Sequence, residues 1–278
     1  MRIMRKKYRS IPTKIFVAFL SLLVLAFSIA PLYTTFNVSM TPYSNMLESM
    51  LYPKYFEISN YGGALNIIYR QIWNSFTYSM TAVVLVLCIS IPSAYVLARC
   101  RFKGRKLLSF SLLFTQMLSG IVLIPAIYTF LARMGLLNNV YTLIFMYVGV
   151  NLSLSVWLLM SYFAAIPREV EEAAIIDGIG RFGLICRVAV PMVKPGIAVS
   201  AIFIFINVYN EFVIPLFLIT DTAYQTITQV LNSLMSATTI EWHYLAAGSI
   251  IGMIPPLTVF LLFQKSIVEG AAAGAVKG

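Results

Sequence analysis

"FVAFLSLLVLAF", Phe16 to Phe27, contains one polar side chain, Ser21, and is apolar on every side. A membrane β-strand would alternate apolar and polar residues over about ten positions. Neither this run nor "TVFLLF", Thr258 to Phe263, does so. In lipid a helix satisfies its own backbone groups whatever side chains it carries, so a uniformly apolar run reads as a helix. Crossing roughly 30 Å of hydrocarbon takes about 20 such residues. Six stretches have that length: Ile15–Thr35, Phe76–Ala98, Leu107–Leu131, Val140–Phe163, Gly196–Ile219 and Tyr244–Gln264. The 278 residues are 60% hydrophobic and 11% charged, against roughly 25% charged in a soluble domain. The expected fold is therefore an all-α integral membrane protein with six transmembrane helices.

Lys and Arg set the orientation, because basic loops stay in the cytoplasm. Of the 20 in the chain, only Lys54, Arg70 and Arg133 fall on the expected external side. The rest cluster in the N-terminus (Arg2 to Lys14), in "ARCRFKGRK" after the second span, in the segment after the fourth span and near the C-terminus. Both termini are thus expected to be cytoplasmic, and the net charge of +10 reflects topology rather than a nucleic-acid surface. The basic start and apolar run also imitate a secretory signal, but the run exceeds a signal core of about 7–15 residues. Pro31 directly after Ala30 disfavours cleavage, so the first helix is expected to be retained. Cys88, Cys100 and Cys186 suggest no disulfide framework and read as small apolar fillers.

The expected layout is a basic cytoplasmic N-terminus (1–14), a first span (15–35), an external loop (36–72) and a membrane core (73–265) ending in a cytoplasmic tail (266–278). Pro42, Pro53, Gly62 and Gly63 read as breakers in the loop. A later external segment, "DTAYQTITQVLNSLMSATTIEWH", is weakly helical. After the fourth span, "IPREVEEAAIIDGIGRFGLICRVAVPMVKPG" (Ile166 to Gly196) combines acids, small residues and prolines. Pro167 suits a helix start, and Glu169, Glu171 and Glu172 complement the positive end of the helix dipole. A short helix from about Arg168 to Asp177 should stop at Gly178 in a left-handed conformation. A second, Arg181 to Val190, should end at Pro191. In this helix–turn–helix elbow Ala173 and Ala174 permit close approach of a partner, and Glu172 offers an acceptor that an Arg can grip. A solvated surface helix is the alternative reading of the same residues.

"EAAIIDG", followed by "VAVP" and "KPG", resembles the EAA loop of ABC-importer membrane subunits, with Glu172, Ala173, Ala174, Asp177, Gly178 and Pro191 at the matching positions. From about Trp73 to Lys265 the chain resembles the type-1 permease core. The ending "FQKSIVEGAAAGAVKG" and the "YNEFVIPL" of the fifth span resemble the maltose-permease-like second subunit of carbohydrate importers, with Tyr209 where that branch often has Trp. The resemblance implies a permease subunit forming half a pore in a bacterial or archaeal inner membrane. It further implies a homologous second permease, two ATPase subunits that bind ATP and Mg, and an external solute-binding protein for a sugar. The elbow, including Glu171, would be the ATPase-coupling element, and the Gly/Ala tail would reach the ATPase interface. A polyol or glycerol phosphate is the alternative cargo; an ion-coupled transporter or a membrane scaffold is the rival class.

No G-x-x-x-x-G-K-[ST] phosphate cradle occurs in the sequence, so no cofactor is expected on this chain and hydrolysis is assigned to partners. A lone histidine, His243, gives no multi-histidine metal site, and no G-x-S-x-G nucleophile elbow appears. Tyr209, Asn210 and Glu211 interrupt the fifth span. An intramembrane acid is costly and marks function by default, so these three are candidates for the pore or for holding helix register. Pro92, Pro125, Pro215, Pro255 and Pro256 with Gly252 are candidate kinks or hinges.

Overall fold

The computed structural model describes residues 11–48, 52, 54–117, 120–236 and 241–275. Their regular elements are all helices: α1 (Ile11–Ser39), a 3₁₀ turn (Tyr43–Glu48), α2 (Ser59–Arg99), α3 (Arg105–Met117), α4 (Gly120–Arg133), α5 (Val140–Ala165) and α6 (Arg168–Ile176). Then come α7 (Arg181–Gly183), a π-helical turn (Leu184–Ala189), α8 (Val190–Met192), α9 (Lys194–Tyr209), α10 (Val213–Leu218), α11 (Ile227–Ser236) and α12 (Trp242–Ala275). Four helices are individually long and apolar enough to cross a membrane, and there are six spans if each of two bent pairs counts as one: α3 with α4, and the Arg181–Met192 stretch with α9, bent by 79° at Val193.

Several sequence expectations are corrected. The third apolar stretch is two helices, α3 and α4, whose axes differ by 98°. The fifth is also divided: α9 ends at Tyr209 and α10 begins at Val213, so Asn210 and Glu211 stand at a helix break rather than inside a helix. Helices α2, α4 and α12 continue through Pro92, Pro125, Pro255 and Pro256, while Pro215 lies in the first turn of α10, where a missing N–H costs little. The expected loop 36–72 is helical at both ends, and α2 runs straight through Gly62 and Gly63. Gly63 serves contact rather than breakage, since a Cβ there would stand 2.5 Å from the Tyr244 ring. Cys88, Cys100 and Cys186 are free, in line with the absence of a disulfide framework, but they are exposed and so do not act as small apolar fillers. The backbone of α12 extends through the expected tail as far as Ala275.

The chain divides into two compact units, Met1–Ile67 with Leu234–Ile251, and Ile68–Ser233 with Gly252–Gly278. In the first, Asn60 Nδ2 donates to the carbonyls of Ser39 and Thr41, both at 3.0 Å, and the Ser39 and Tyr61 hydroxyls pair at 2.7 Å. These bonds close the end of α1 onto the start of α2. The apolar window of α1 is wholly exposed, as expected of a span solvated by lipid.

The second unit is built around α2, α5 and α9. Gly196 lets α9 approach α5 so closely that a Cβ there would stand 2.5 Å from the Tyr162 ring. Deeper in, the buried hydroxyls of Ser90, Ser155 and Ser200 form a chain across all three helices, with two contacts of 2.8 Å. Small polar residues suit this role in lipid, where close packing and interhelical hydrogen bonds replace the hydrophobic drive. Ser155 donates its one hydroxyl proton to Ser90 and so accepts from Ser200; Ser155→Ala should cost about 1 kcal/mol, at roughly 0.6 kcal/mol per interhelical bond. Thermal unfolding in detergent, compared with Ser93→Ala on the exposed face of α2, measures it.

Candidate functional site

The elbow begins where α5 stops at Ile166 and the extended Pro167 starts α6. Three backbone bonds close α6: Asp177 N–H to Ala173 C=O, Gly178 N–H to Ile175 C=O and Ile179 N–H to Ala174 C=O, each 3.0 Å. The last two form a Schellman pair around Gly178, whose φ of +81° is left-handed. The expected glycine stop is thus where the chain turns. Pro191 does not end the second helix, which continues to Met192. A proline ring crowds the carbonyl one turn earlier, and the wider π-helical turn of Leu184–Ala189 directly before it relieves that crowding.

Burial divides the α6 residues into two faces. Ala174 is buried, together with Leu184, Ala189 and Val193 of the following segment, against Tyr95 of α2 and Phe163 of α5. Glu171 also turns inward: its Oε1 lies 2.9 Å from Arg99 Nε, with the two side chains 12% and 10% exposed. This is a charge contact rather than a directed hydrogen bond, since neither atom has a hydrogen-bond partner. Glu172, Ala173 and Asp177 are exposed, as are Ile175, Ile176 and Phe182, the last two at 86% and 80%. Ala173 and Ala174 therefore face apart, and Ala174 is packed against its own chain instead of being open to a partner. Sequence reasoning overlooked Ile176 and Phe182. Their signal was apolar side chains in an otherwise polar segment.

At the break in the fifth span, Glu211 Oε1 accepts from the N–H groups of Val213 at 2.9 Å and Ile214 at 3.1 Å. The carboxylate therefore satisfies the first donors of α10, which an N-terminal turn otherwise leaves free. Thr228 Oγ1 donates to the Glu211 carbonyl at 2.9 Å, and Gln229 Nε2 donates to the carbonyls of Pro215 at 3.0 Å and Ile219 at 2.8 Å. Asn210 is the exposed C-cap of α9. Tyr209 points into the core, with its hydroxyl donating to Gly252 C=O at 3.1 Å and its ring 5.7 Å from Phe205.

Beside the break lies a cavity of about 160 Å³ lined by Tyr147, Asn151, Asn207 and Glu211 with three apolar residues. Asn151 Nδ2 donates to Tyr147 C=O at 2.9 Å, and Asn207 Nδ2 reaches Asn151 Oδ1 at 3.5 Å. The Tyr147 hydroxyl is buried without a hydrogen-bond partner among the described residues. An isolated polar group in such surroundings costs free energy, so the cavity presents unused hydrogen-bonding capacity. The sequence had shown these polar residues, but not that two helices bring them together.

Residues 90–271 match the family model described as "Binding-protein-dependent transport system inner membrane component". The trehalose/maltose transport system permease protein MalG of Thermococcus litoralis is 34% identical over 206 residues, covering 74% of each chain. The trehalose transport system permease protein SugB of Mycobacterium tuberculosis is 29% identical over 265 residues, covering 94% of this chain and 97% of its own. The fold also matches a chain in the crystal structure of a bacterial ABC transporter involved in the import of the acidic polysaccharide alginate, with a TM-score of 0.76 and 22% identity, covering 93% of this chain and 98% of that one. An all-α membrane architecture and a family match over most of the length lead to one conclusion: the chain belongs to the inner-membrane permease components of binding-protein-dependent ABC importers.

Proposed function

We propose that the chain forms half of the membrane pore of an ATP-driven importer for a sugar, in the cytoplasmic membrane and with both termini cytoplasmic. A homologous second permease completes the pore, two ATPase subunits carrying ATP and Mg dock from the cytoplasm, and an external binding protein delivers the solute. The relatives named for trehalose and maltose support a sugar cargo.

The observation that carries this reading is the outer face of the elbow. Glu172, Ala173, Ile176 and Asp177 are exposed on one helix, closed at its end by the Gly178 turn, that no other described residue covers. A small residue beside a carboxylate and an apolar side chain suits insertion into a cleft that offers a guanidinium and an apolar wall. The carboxamides of Asn151 and Asn207 and the free Tyr147 hydroxyl suit a solute rich in hydroxyl groups. Tyr209 is excluded from that role by its burial. Glu211 reaches the same cavity while capping α10.

The test is gentle-detergent purification of the tagged chain expressed with its neighbouring genes, followed by mass spectrometry and an ATPase assay. An ATPase and a second permease are expected to co-purify, and Glu172→Ala should reduce the recovered ATPase about tenfold, equivalent to about 1.4 kcal/mol of docking energy. A wild-type chain that emerges without a nucleotide-hydrolysing partner would refute the reading.

A further inference from the structure

Among the described residues, Arg99 and Glu171 are the one pair of opposite charges within 4 Å. They come from elements far apart in sequence: Arg99 is the last residue of α2 and Glu171 lies in the first turn of α6. Arg99 has a second commitment, because its Nη2 donates to the carbonyl of Ile166, the C-cap of α5. One guanidinium thus holds the end of α2, the end of α5 and the start of the elbow. Tyr95, Phe163, Ile166 and Ala174 form a buried core beneath it, with the Tyr95 and Phe163 rings edge-to-face at 5.5 Å.

The joint between α5 and α6 is short. Ile166 and Pro167 are both extended, with ψ of 131° and 140°, so backbone hydrogen bonding alone would let α6 swing about them. The pair sits where a charge is costly to bury alone, and an excursion of α6 away from α2 would separate two poorly solvated charges. We infer that Arg99 is the positioning residue that pins the elbow to α2, so that displacement of α6 moves α2 rather than bending the Ile166–Pro167 joint. The inference rests on the proposed docking role of the elbow for its functional meaning. Glu171 and Glu172 then divide the work: Glu171 faces inward and holds the lever, while Glu172 faces outward toward the partner.

The experiment places spin labels at Ile175→Cys on α6, outside the proposed docking face, and Val96→Cys on α2, both exposed sites, in a chain whose three native cysteines are replaced by serine. Distances are measured by double electron–electron resonance in the co-purified complex, without nucleotide and with Mg-ATP. The unmodified pair should give one narrow distance in both conditions. Arg99→Gln and Glu171→Gln should each broaden the distribution about twofold as the lost pairing frees the joint, and the exchanged pair Arg99→Glu with Glu171→Arg should narrow it again. A narrow, unchanged distance in either single variant overturns the inference. So does equal broadening in the singles and the exchanged pair, which would mark a packing role instead of a charge pin. If Arg99→Gln is not recovered from membranes, the near-isosteric Glu171→Gln decides alone. Absence of an ATPase from the wild-type preparation would refute the proposed function, whereas the nucleotide-free distances would still test the pin.

Discussion

Gly178→Val is expected to leave the chain inserted in the membrane while lowering the solute moved per ATP hydrolysed about tenfold. No heavy atom lies within 4 Å of the Cβ position at Gly178, so crowding by neighbours is not the cause. The cause is the backbone: a φ of +81° costs an L-residue about 1–2 kcal/mol, and a β-branched side chain tolerates it least. Relief of that strain opens the bonds from Gly178 to Ile175 and from Ile179 to Ala174, freeing the end of α6 from the segment that follows. Gly178→Asn should retain more activity than Gly178→Val, because asparagine visits left-handed geometry more readily. Uptake and hydrolysis measured in the same vesicles separate coupling from expression, and a Val variant with the wild-type ratio would show that the turn does not matter.

Gly196→Ala should have the larger effect on stability. The added methyl would lie 2.5, 2.6 and 2.8 Å from three atoms at the base of the Tyr162 ring, where the side chain has little freedom to swing away. Overpacking of this kind costs about 1–3 kcal/mol, here separating α9 from α5 and stretching the Ser155–Ser200 contact between them. The expected result is a lower unfolding temperature in detergent and less chain in the membrane. Truncation of the opposing ring should compensate, so Gly196→Ala with Tyr162→Ala is expected to be more stable than the sum of its single changes allows. Additive losses would show that the two helices do not meet through this pair.

The helical membrane fold was legible because lipid imposes one rule on every span: long, apolar and hydrogen-bonded within itself. The turn of the elbow was legible for a similarly local reason, since Gly178 and Pro167 act through their own backbone angles. Burial within the elbow was not. Composition could not tell Ala173 from Ala174, because only the core beneath α6 decides which is covered. Nor did it pair Glu171 with Arg99, a contact made by tertiary approach. The break at Asn210 was hidden by hydrophobicity on both sides, although Pro215 so soon after Glu211 is a helix-start signal. There Asn210 and Glu211 proved to stand at the ends of helices, and Glu211 shares its cavity with the carboxamides of Asn151 and Asn207, which tertiary packing brings together.

The π-helical turn alters how this stretch should be compared with its relatives. Leu184 and Ala189 are both buried though five residues apart, a spacing that an α-helical wheel, at 100° per residue, would assign to different sides. The i to i+5 bonding accommodates one residue more than an α-turn does. A related chain lacking one residue between Leu184 and Ala189 would be able to keep the same two anchors in the core by reverting to ordinary α geometry. A gap at that point in an alignment would then mark a change of helical pitch, with the bend at Val193 and everything beyond it kept in frame.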